Sequence, residues 1–200
     1  ALRWIQQPRL GERLALAKAA EQQQVEDLKA IGLAHRLVFE TLRRQNAIDS
    51  LISSALSPRS LSDLKSKVRS FMRLYTYQVL FADTGRKEAA SIARTGRAVL
   101  GWRELSNVEE AMGTILNRHI ENVFKGTSDE ERVALETYNP TWFVKYCYKT
   151  FGRNEALKFL QSVSQSPPTY IRINTIKGSE EQCLKELTQE GVLTKKEPSL

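Results

Sequence analysis

Cysteine and histidine are scarce in this 200-residue sequence, which contains two of each. Two cysteines, Cys147 and Cys183, make no disulfide framework and are typical of a reducing compartment, so we expect a cytoplasmic protein. The cysteines and histidines do not stand at the spacing of zinc ligands, and the sequence predicts no metal site. No apolar run approaches the roughly 20 residues of a membrane span, and the first residues lack the apolar run of a secretory signal. We therefore expect no membrane association.

Catalytic signatures are also missing. The sequence has no glycine-rich nucleotide loop, no HExxH and no GxSxG. Acidic pairs such as Glu109–Glu110 lie at predicted helix starts, where they favour the helix dipole. Cys147 lies on a predicted helix with aromatic neighbours, which favours a buried, unreactive thiol over a nucleophile. The residues alone therefore indicate no catalytic set and no cofactor site in this chain.

The net charge is +7, and the excess lies in the first part of the chain. Residues 1–125 contain 20 Lys and Arg against 13 Asp and Glu, whereas residues 126–200 contain 10 of each class. A local basic excess is the usual footprint of a nucleic-acid-binding protein. Solvated helix faces made of Arg and Lys would give the same counts. Charge alone leaves both interpretations open.

Helix-forming patterns occupy most of the first 165 residues, beginning with a run of Ala, Leu, Glu and Gln over 10–30. The clearest apolar face belongs to a predicted helix that ends near Gly85, a residue suited to a C-terminal cap. This face is formed by Val68, Phe71, Met72, Tyr75 and Val79. Ser106 and Ser128 each stand three residues before Glu and predict capping boxes at two later helices. The sequence predicts a mainly α fold.

The pattern changes after a pair of prolines at 167–168. Residues 170–176, YIRINTI, alternate apolar and polar side chains as a half-buried strand does. A capped helix beginning at Ser179 follows, and residues 192–194 could start a second strand. The last part of the chain is therefore expected to mix helix and strand.

A basic stripe is predicted beside the apolar face. Its members recur every four residues and are Lys65, Arg69, Arg73 and Tyr77. Three cations followed by an aromatic ring suit an RNA backbone and a stacked base. Arginines of neighbouring helices would extend this patch, namely Arg43, Arg44, Arg94 and Arg97. The alternative is that these arginines pair with acids of other helices; because few acids lie nearby in sequence, RNA binding is favoured.

Two groups of motifs resemble a known family. The segments LVFETLRRQNAIDSLI (37–52) and VRSFMRLYTYQVLF (68–81) resemble the NusB-like helical domain. That domain occurs alone in a transcription antitermination factor and also ahead of Sun/Fmu-type RNA (cytosine-5) methyltransferases. The region 139–178 resembles the segment that leads into the methyltransferase. Its matching positions are Pro140 and Trp142, then Gly152, Glu155 and Ala156, then the Pro-Pro pair, and finally Arg172, Asn174, Thr175 and Lys177.

The resemblance covers about residues 30–200 and leaves the first 30 outside. It implies a NusB-like RNA-binding bundle in the first domain. We assign residues 1–126 to that domain, because Gly126 lies between two predicted capped helices and is the candidate boundary. Residues 127–200 would then hold helices and the first strands of a truncated α+β subdomain. Arg172 and Asn174 lie on one face of the expected strand and would contact RNA or brace the catalytic domain. S-adenosylmethionine and the catalytic domain would belong to a part of such an enzyme that this chain lacks, so the chain alone should be inactive.

Three functions remain open at this point. The first is RNA recognition for an S-adenosylmethionine-dependent RNA (cytosine-5) methyltransferase acting on ribosomal or transfer RNA. The second is a NusB-like, non-catalytic factor that binds RNA and protein in transcription complexes. The third is a helical module whose basic face is incidental and whose partner is a protein. The predicted strand after residue 168 argues against the second, because a helical domain working alone would not need it.

Overall fold

The computed structural model describes residues 1–2, 11–82, 84–118, 124, 127–165 and 170–195. The chain divides into two compact units, one over residues 1–164 and one over 165–200, and each is described by itself. The helices, in chain order, are α1 (Glu12–Gln22), α2 (Leu28–Arg43), α3 (Gln45–Leu56), α4 (Ser66–Phe81), α5 (Arg86–Leu100), α6 (Trp102–Leu105), α7 (Glu109–Leu116), α8 (Asp129–Glu136), α9 (Thr141–Phe151), α10 (Arg153–Ser164) and α11 (Glu180–Gln189). Within the described residues, 3₁₀ turns occur at Leu61–Asp63 and Ser106–Val108. The predicted mainly α fold is confirmed.

Helix α4 lies at the centre of the larger core and packs against α2, α3, α5 and α7. The predicted apolar face is the buried face, with Val68, Met72, Tyr75 and Val79 almost inaccessible to solvent. Burying each such side chain stabilises the fold by roughly 1.5–3 kcal/mol. Gly96 lets α5 come close to this helix, because a Cβ at that position would overlap the Phe71 ring.

A second, smaller core joins α8, α9 and α10. It is formed by the buried side chains of Val133, Ala134, Val144, Cys147, Ala156 and Leu160. The predicted capping box at Ser128 is confirmed: its hydroxyl accepts a hydrogen bond from the Glu131 backbone N–H at 3.3 Å, and the Glu131 carboxylate accepts from the Ser128 N–H. Gly152, at φ 73°, makes the sharp turn between α9 and α10.

Helix α8 ends in a turn whose geometry ties the two cores together. The Asn139 N–H bonds back to the Ala134 carbonyl at 2.9 Å, while Tyr138 takes the left-handed conformation at φ 58°. This is a Schellman turn in which tyrosine replaces the usual glycine. The Tyr138 ring then reaches the ring of Phe81 on α4, with the centroids 6.0 Å apart and the rings nearly perpendicular.

Two predicted helix ends are corrected by the structure. Ser106 opens a 3₁₀ turn rather than a capping box, because its hydroxyl donates backwards to the Arg103 carbonyl at 3.1 Å; α7 begins at Glu109. Gly85 does not cap the end of α4, which finishes at Phe81. Gly85 instead precedes α5 as its N-cap, at φ −63°. The predicted boundary at Gly126 lies outside the described residues.

The predicted strand is not formed in the second unit. Residues 170–174 have no ladder partner in the part of the chain that the structure describes, and residues 175–177 form a turn. An alternating pattern becomes a strand only where a neighbour supplies backbone hydrogen bonds, and residues 192–195 supply none. Helix α11 forms as expected, with the Ser179 hydroxyl accepting from the Gln182 N–H at 3.2 Å.

The described residues of both units form helices of at most 16 residues. None of the helices there is both long and apolar enough to cross a bilayer.

Asp129 provides a pH test of the smaller core. Its carboxylate accepts hydrogen bonds from Arg153, Arg132 and Tyr148, and the two guanidinium groups hold the pKa of Asp129 well below its usual range. A carboxyl with a lowered pKa stabilises the fold above its unfolded-state pKa of about 3.9, and this contribution is lost as the pH falls further. We therefore expect Asp129→Asn to lower the melting temperature at neutral pH, with the deficit shrinking below about pH 4.

The control is Glu130→Gln, which removes a carboxylate from the same first turn of α8. It therefore causes the same loss of favourable interaction between a carboxylate and the helix dipole. Melting temperatures of both variants and the parent chain across the pH range measure the effect. A deficit of Asp129→Asn that matches the control, or that does not change with pH, contradicts the expectation.

Candidate nucleic-acid interface

The predicted stripe on α4 passes from solvent into the protein interior. Lys65, just before the helix, is exposed and forms an ion pair with Glu104 at 2.7 Å. Arg69 is half-buried. Tyr77, at the other end of the stripe, is buried and not placed to stack on a base. The four residues therefore do not form one continuous solvent-facing line.

Arg73 is held by an acid of the neighbouring helix. Its Nε and Nη2 atoms each lie 2.7 Å from an oxygen of Asp49 on α3, and its side chain is only 12% exposed. Such a two-point pair between a guanidinium and a carboxylate is among the stronger polar contacts in proteins. The geometry makes Arg73 a tie between α3 and α4 and leaves its donors little access to a phosphate.

Arg43 and Arg44, at the junction of α2 and α3, point towards the smaller core. One Nη atom of Arg43 donates to the terminal carbonyls of α10 at Val163 and Ser164. The Arg44 guanidinium pairs with Glu40 and lies over the Tyr138 ring, 4.8 Å from its centroid.

Burial by itself would lower the pKa of Arg44, but the hydrogen bonds and charges of Glu40 and Tyr138 outweigh it and raise that pKa. Its charge is therefore satisfied inside the protein. Arg43 and Arg44 thus have structural partners in this fold.

Helix α5 carries a basic face that remains at the surface. We call Arg86, Lys87, Arg94 and Arg97 the α5 basic face. All four side chains are exposed, and the only acid on the helix is Glu88. Arg97 pairs with Glu109 at 2.6 Å and lies over the Trp102 ring, whereas Arg94 has no such partner among the described residues. Four cations on one surface helix suit a phosphate backbone.

Sequence reasoning named Arg94 and Arg97 but missed Arg86 and Lys87. The signal was present, because α5 contains four cations and one acid within 15 residues. Lys65 and Lys67 also line a surface cleft of about 370 Å³ that includes Leu100, the last residue of α5. The start of α4 therefore adds two lysines near the C-terminal end of the α5 basic face.

Arg172 and Asn174 lie in the second unit, and both are exposed. The Asn174 side-chain oxygen accepts a hydrogen bond from the Ile176 N–H at 3.1 Å, and its carbonyl accepts from the Lys177 N–H at 3.0 Å. These bonds form a turn of the kind that asparagine favours. Arg172 remains accessible to RNA, and the role predicted for the pair stays a prediction.

Metal binding and thiol chemistry are two alternatives to nucleic-acid binding. No three His, Cys, Asp or Glu side chains in that part of the chain come close enough to hold a metal ion. Cys147 is buried, and burial raises the pKa of its thiol, which disfavours the reactive thiolate. A larger cavity of about 770 Å³ lies between α1, α2, α4 and α5 and is lined mainly by apolar side chains such as Leu37, Phe71 and Ile92.

Comparison with known families gives two matches along the chain. Residues 3–93 match the NusB family, and residues 139–200 match the ferredoxin-like domain of the RsmF/B-like methyltransferases. The resemblance inferred from the sequence is thereby confirmed. The first match begins at residue 3, so it takes in most of the 30 residues that sequence reasoning left outside.

Two curated proteins resemble the chain along most of its length. Both are named "Probable ribosomal RNA small subunit methyltransferase B". The one from Synechocystis sp. (strain ATCC 27184 / PCC 6803 / Kazusa) is 26% identical over 162 residues, which is 79% of this chain and 36% of the relative. The one from Bacillus subtilis (strain 168) is 24% identical over 171 residues, or 82% of this chain and 37% of the relative. The chain thus spans little more than a third of each relative, and no solved structure matches it.

The pair of Arg73 and Asp49 can be tested as a structural tie. We expect Arg73→Ala to lower the free energy of unfolding by about 2 kcal/mol, because it leaves the half-buried Asp49 without its two-point partner. Adding Asp49→Ala removes both charges and should recover part of that loss. Urea denaturation of the parent, the two single variants and the double variant gives the coupling energy. If the losses of unfolding free energy in the two single variants simply add in the double variant, the pair has no coupling energy. Arg73 would then again be a candidate RNA contact.

Proposed function

We propose that this chain, which combines a NusB-family domain with a ferredoxin-like domain of the RsmF/B type, is the RNA-recognition portion of an RNA (cytosine-5) methyltransferase. The observation that carries the proposal is the presence of both domains, in this order, in one chain. A NusB-family domain by itself would fit a non-catalytic factor equally well. The second match favours the methyltransferase, since its family is described as methyltransferase-like.

The names of the two relatives direct the proposal to the RNA of the small ribosomal subunit rather than to transfer RNA. Because the chain spans little more than a third of each relative, methyl transfer belongs to the proposal for the whole enzyme. We place that enzyme in the cytoplasm, where a protein with two free cysteines meets a reducing environment. The catalytic domain of the same enzyme is then a partner of this chain.

S-adenosylmethionine does not fit the part of the chain that the structure describes. A nucleoside cofactor calls for a close backbone approach at glycines and an acid for the ribose hydroxyls. The cavity of about 770 Å³ has no aspartate or glutamate among its lining residues. We therefore assign the cofactor to no residue here and propose that another domain of the enzyme binds it.

RNA recognition rests on the exposed cations rather than on the stripe as a whole. The α5 basic face and the lysines at the start of α4 are the surface that phosphates could reach. Each phosphate neutralised by Lys or Arg releases counterions, so the affinity should fall steeply as salt rises. We expect this chain to bind structured RNA weakly at physiological salt and more tightly at low salt.

The test reverses charge on the α5 basic face. Lys87→Glu together with Arg94→Glu should weaken RNA binding by at least about tenfold and lower the slope of log K against log salt by about 2, because two phosphate contacts are lost. Binding to a small-subunit ribosomal RNA fragment over a salt series, with a DNA duplex for comparison, measures both quantities. Lys87 and Arg94 form no ion pair among the described residues, so folding should be little affected.

The matched control is Arg13→Glu together with Lys18→Glu on α1. This pair is also exposed and makes the same change in net charge. A similar loss of affinity in both double variants would mean that overall charge, and not the α5 basic face, governs binding. No RNA binding by the parent chain at low salt would contradict the proposed function itself and leave the protein-binding module as the better account.

A further inference from the structure

Helix α9 has an exposed face that the packing of the protein does not explain. One side of the helix carries Val144 and Cys147, which are buried in the smaller core. The exposed face carries two large rings, with Trp142 69% and Tyr146 57% exposed. Trp142 and Tyr146 stand four residues apart, so they are neighbours on the helix surface. Two aromatic side chains that contribute little to the core call for another explanation.

Two lysines complete this face. Both are exposed. Lys145 lies between the two rings, three residues after Trp142, and Lys149 lies beyond them, seven residues after Trp142. We call Trp142, Lys145, Tyr146 and Lys149 the α9 aromatic–basic face. No aspartate or glutamate occurs on α9, and neither lysine has an ion-pair partner among the described residues. The charge of this face is therefore uncompensated, and it fits an anionic ligand.

Other basic side chains on α8–α10 do form ion pairs. Arg153 pairs with Asp129 at 2.9 Å, and Lys158 pairs with Glu155 at 2.8 Å. Arg132 also pairs with Asp129. These three basic side chains of α8–α10 have carboxylate partners. Among the cations on these three helices, Lys145 and Lys149 alone lack one within the described ranges.

We propose that the α9 aromatic–basic face binds unpaired nucleotides of RNA. Trp142 and Tyr146 stack on exposed bases, while Lys145 and Lys149 contact the phosphates between them. Base–aromatic stacking needs an exposed ring, tolerates any base and is unavailable to a base pair inside a helix. The α5 basic face contains only cations and suits a phosphate backbone of either kind. The proposal rests on the proposed RNA-binding function and adds the part of the chain that selects single-stranded RNA.

The test separates stacking from ordinary apolar contact. The variant Trp142→Leu, Tyr146→Leu keeps large apolar side chains and removes the ring faces, whereas Trp142→Phe, Tyr146→Phe keeps the rings. All four substitutions are at exposed positions, so folding should be preserved and circular dichroism will check it. The probes are a single-stranded oligoribonucleotide of mixed sequence and an RNA duplex of the same length, both binding to the whole chain.

We expect the leucine variant to bind the single strand about tenfold or more weakly and the duplex as the parent does. The phenylalanine variant should retain most of the single-strand affinity. In the parent chain, quenching of tryptophan fluorescence by the single strand should accompany binding, and the phenylalanine variant should lose part of that quenching.

Two outcomes overturn the proposal in different ways. If the parent binds RNA and the leucine variant binds the single strand equally well, the proposed function stands. The α9 aromatic–basic face then belongs to a protein partner or to another domain. If the parent binds neither probe at low salt, the proposed function fails and the present inference fails with it.

Discussion

Three side chains at the junction of α2 and α3 connect the two cores of the first unit. Arg43 reaches the terminal carbonyls of α10, Arg44 lies over the Tyr138 ring, and Asn46 donates to the carbonyls of Ala134 and Asn139 at 3.0 and 2.9 Å. The carbonyls at a helix end have no partner within the helix and need donors from elsewhere. One short segment thus supplies donors to the ends of both α8 and α10. Together with an apolar cluster that includes Leu51, Phe81 and Leu135, it holds α8–α10 against the larger core.

This connection places the backbone of Tyr138 in a strained, left-handed conformation. A left-handed conformation costs a non-glycine residue roughly 1–2 kcal/mol. A glycine would avoid that cost, but it would lack the ring that covers the Arg44 guanidinium and meets Phe81. Contacts between a partly desolvated cation and an aromatic ring are worth about 2 kcal/mol. The strain at Tyr138 and the burial of Arg44 therefore support each other, and neither is understandable from its own segment of sequence.

The local features of the fold were predictable, and the tertiary ones were not. The buried face of α4, the capping box at Ser128 and the break at Gly152 follow from spacing and from residue type within a few positions. The partner of each arginine could not be predicted in this way. Arg73 pairs with Asp49, which is 24 positions away in sequence, and Arg43 donates to the Ser164 carbonyl, which is 121 positions away. Counting acids nearby in sequence favoured RNA binding for residues whose partners lie on other helices. The strand over 170–176 failed for a related reason, since an alternating pattern says nothing about whether a partner strand is present.

The proposed RNA recognition depends on cations that have no structural partner in the fold. Arginines that hold helices together cannot also neutralise phosphates without weakening the fold. A binding surface must therefore consist of cations that form no contact needed by the fold. Two surfaces meet this condition with different chemistry. On the α5 basic face, Lys87 and Arg94 offer charge alone, since Arg97 is paired with Glu109. The α9 aromatic–basic face offers charge together with exposed rings. An enzyme that modifies a base must reach it outside a stacked duplex. A recognition portion that distinguishes unpaired from paired RNA would therefore serve such an enzyme better than one that responds to phosphate charge alone.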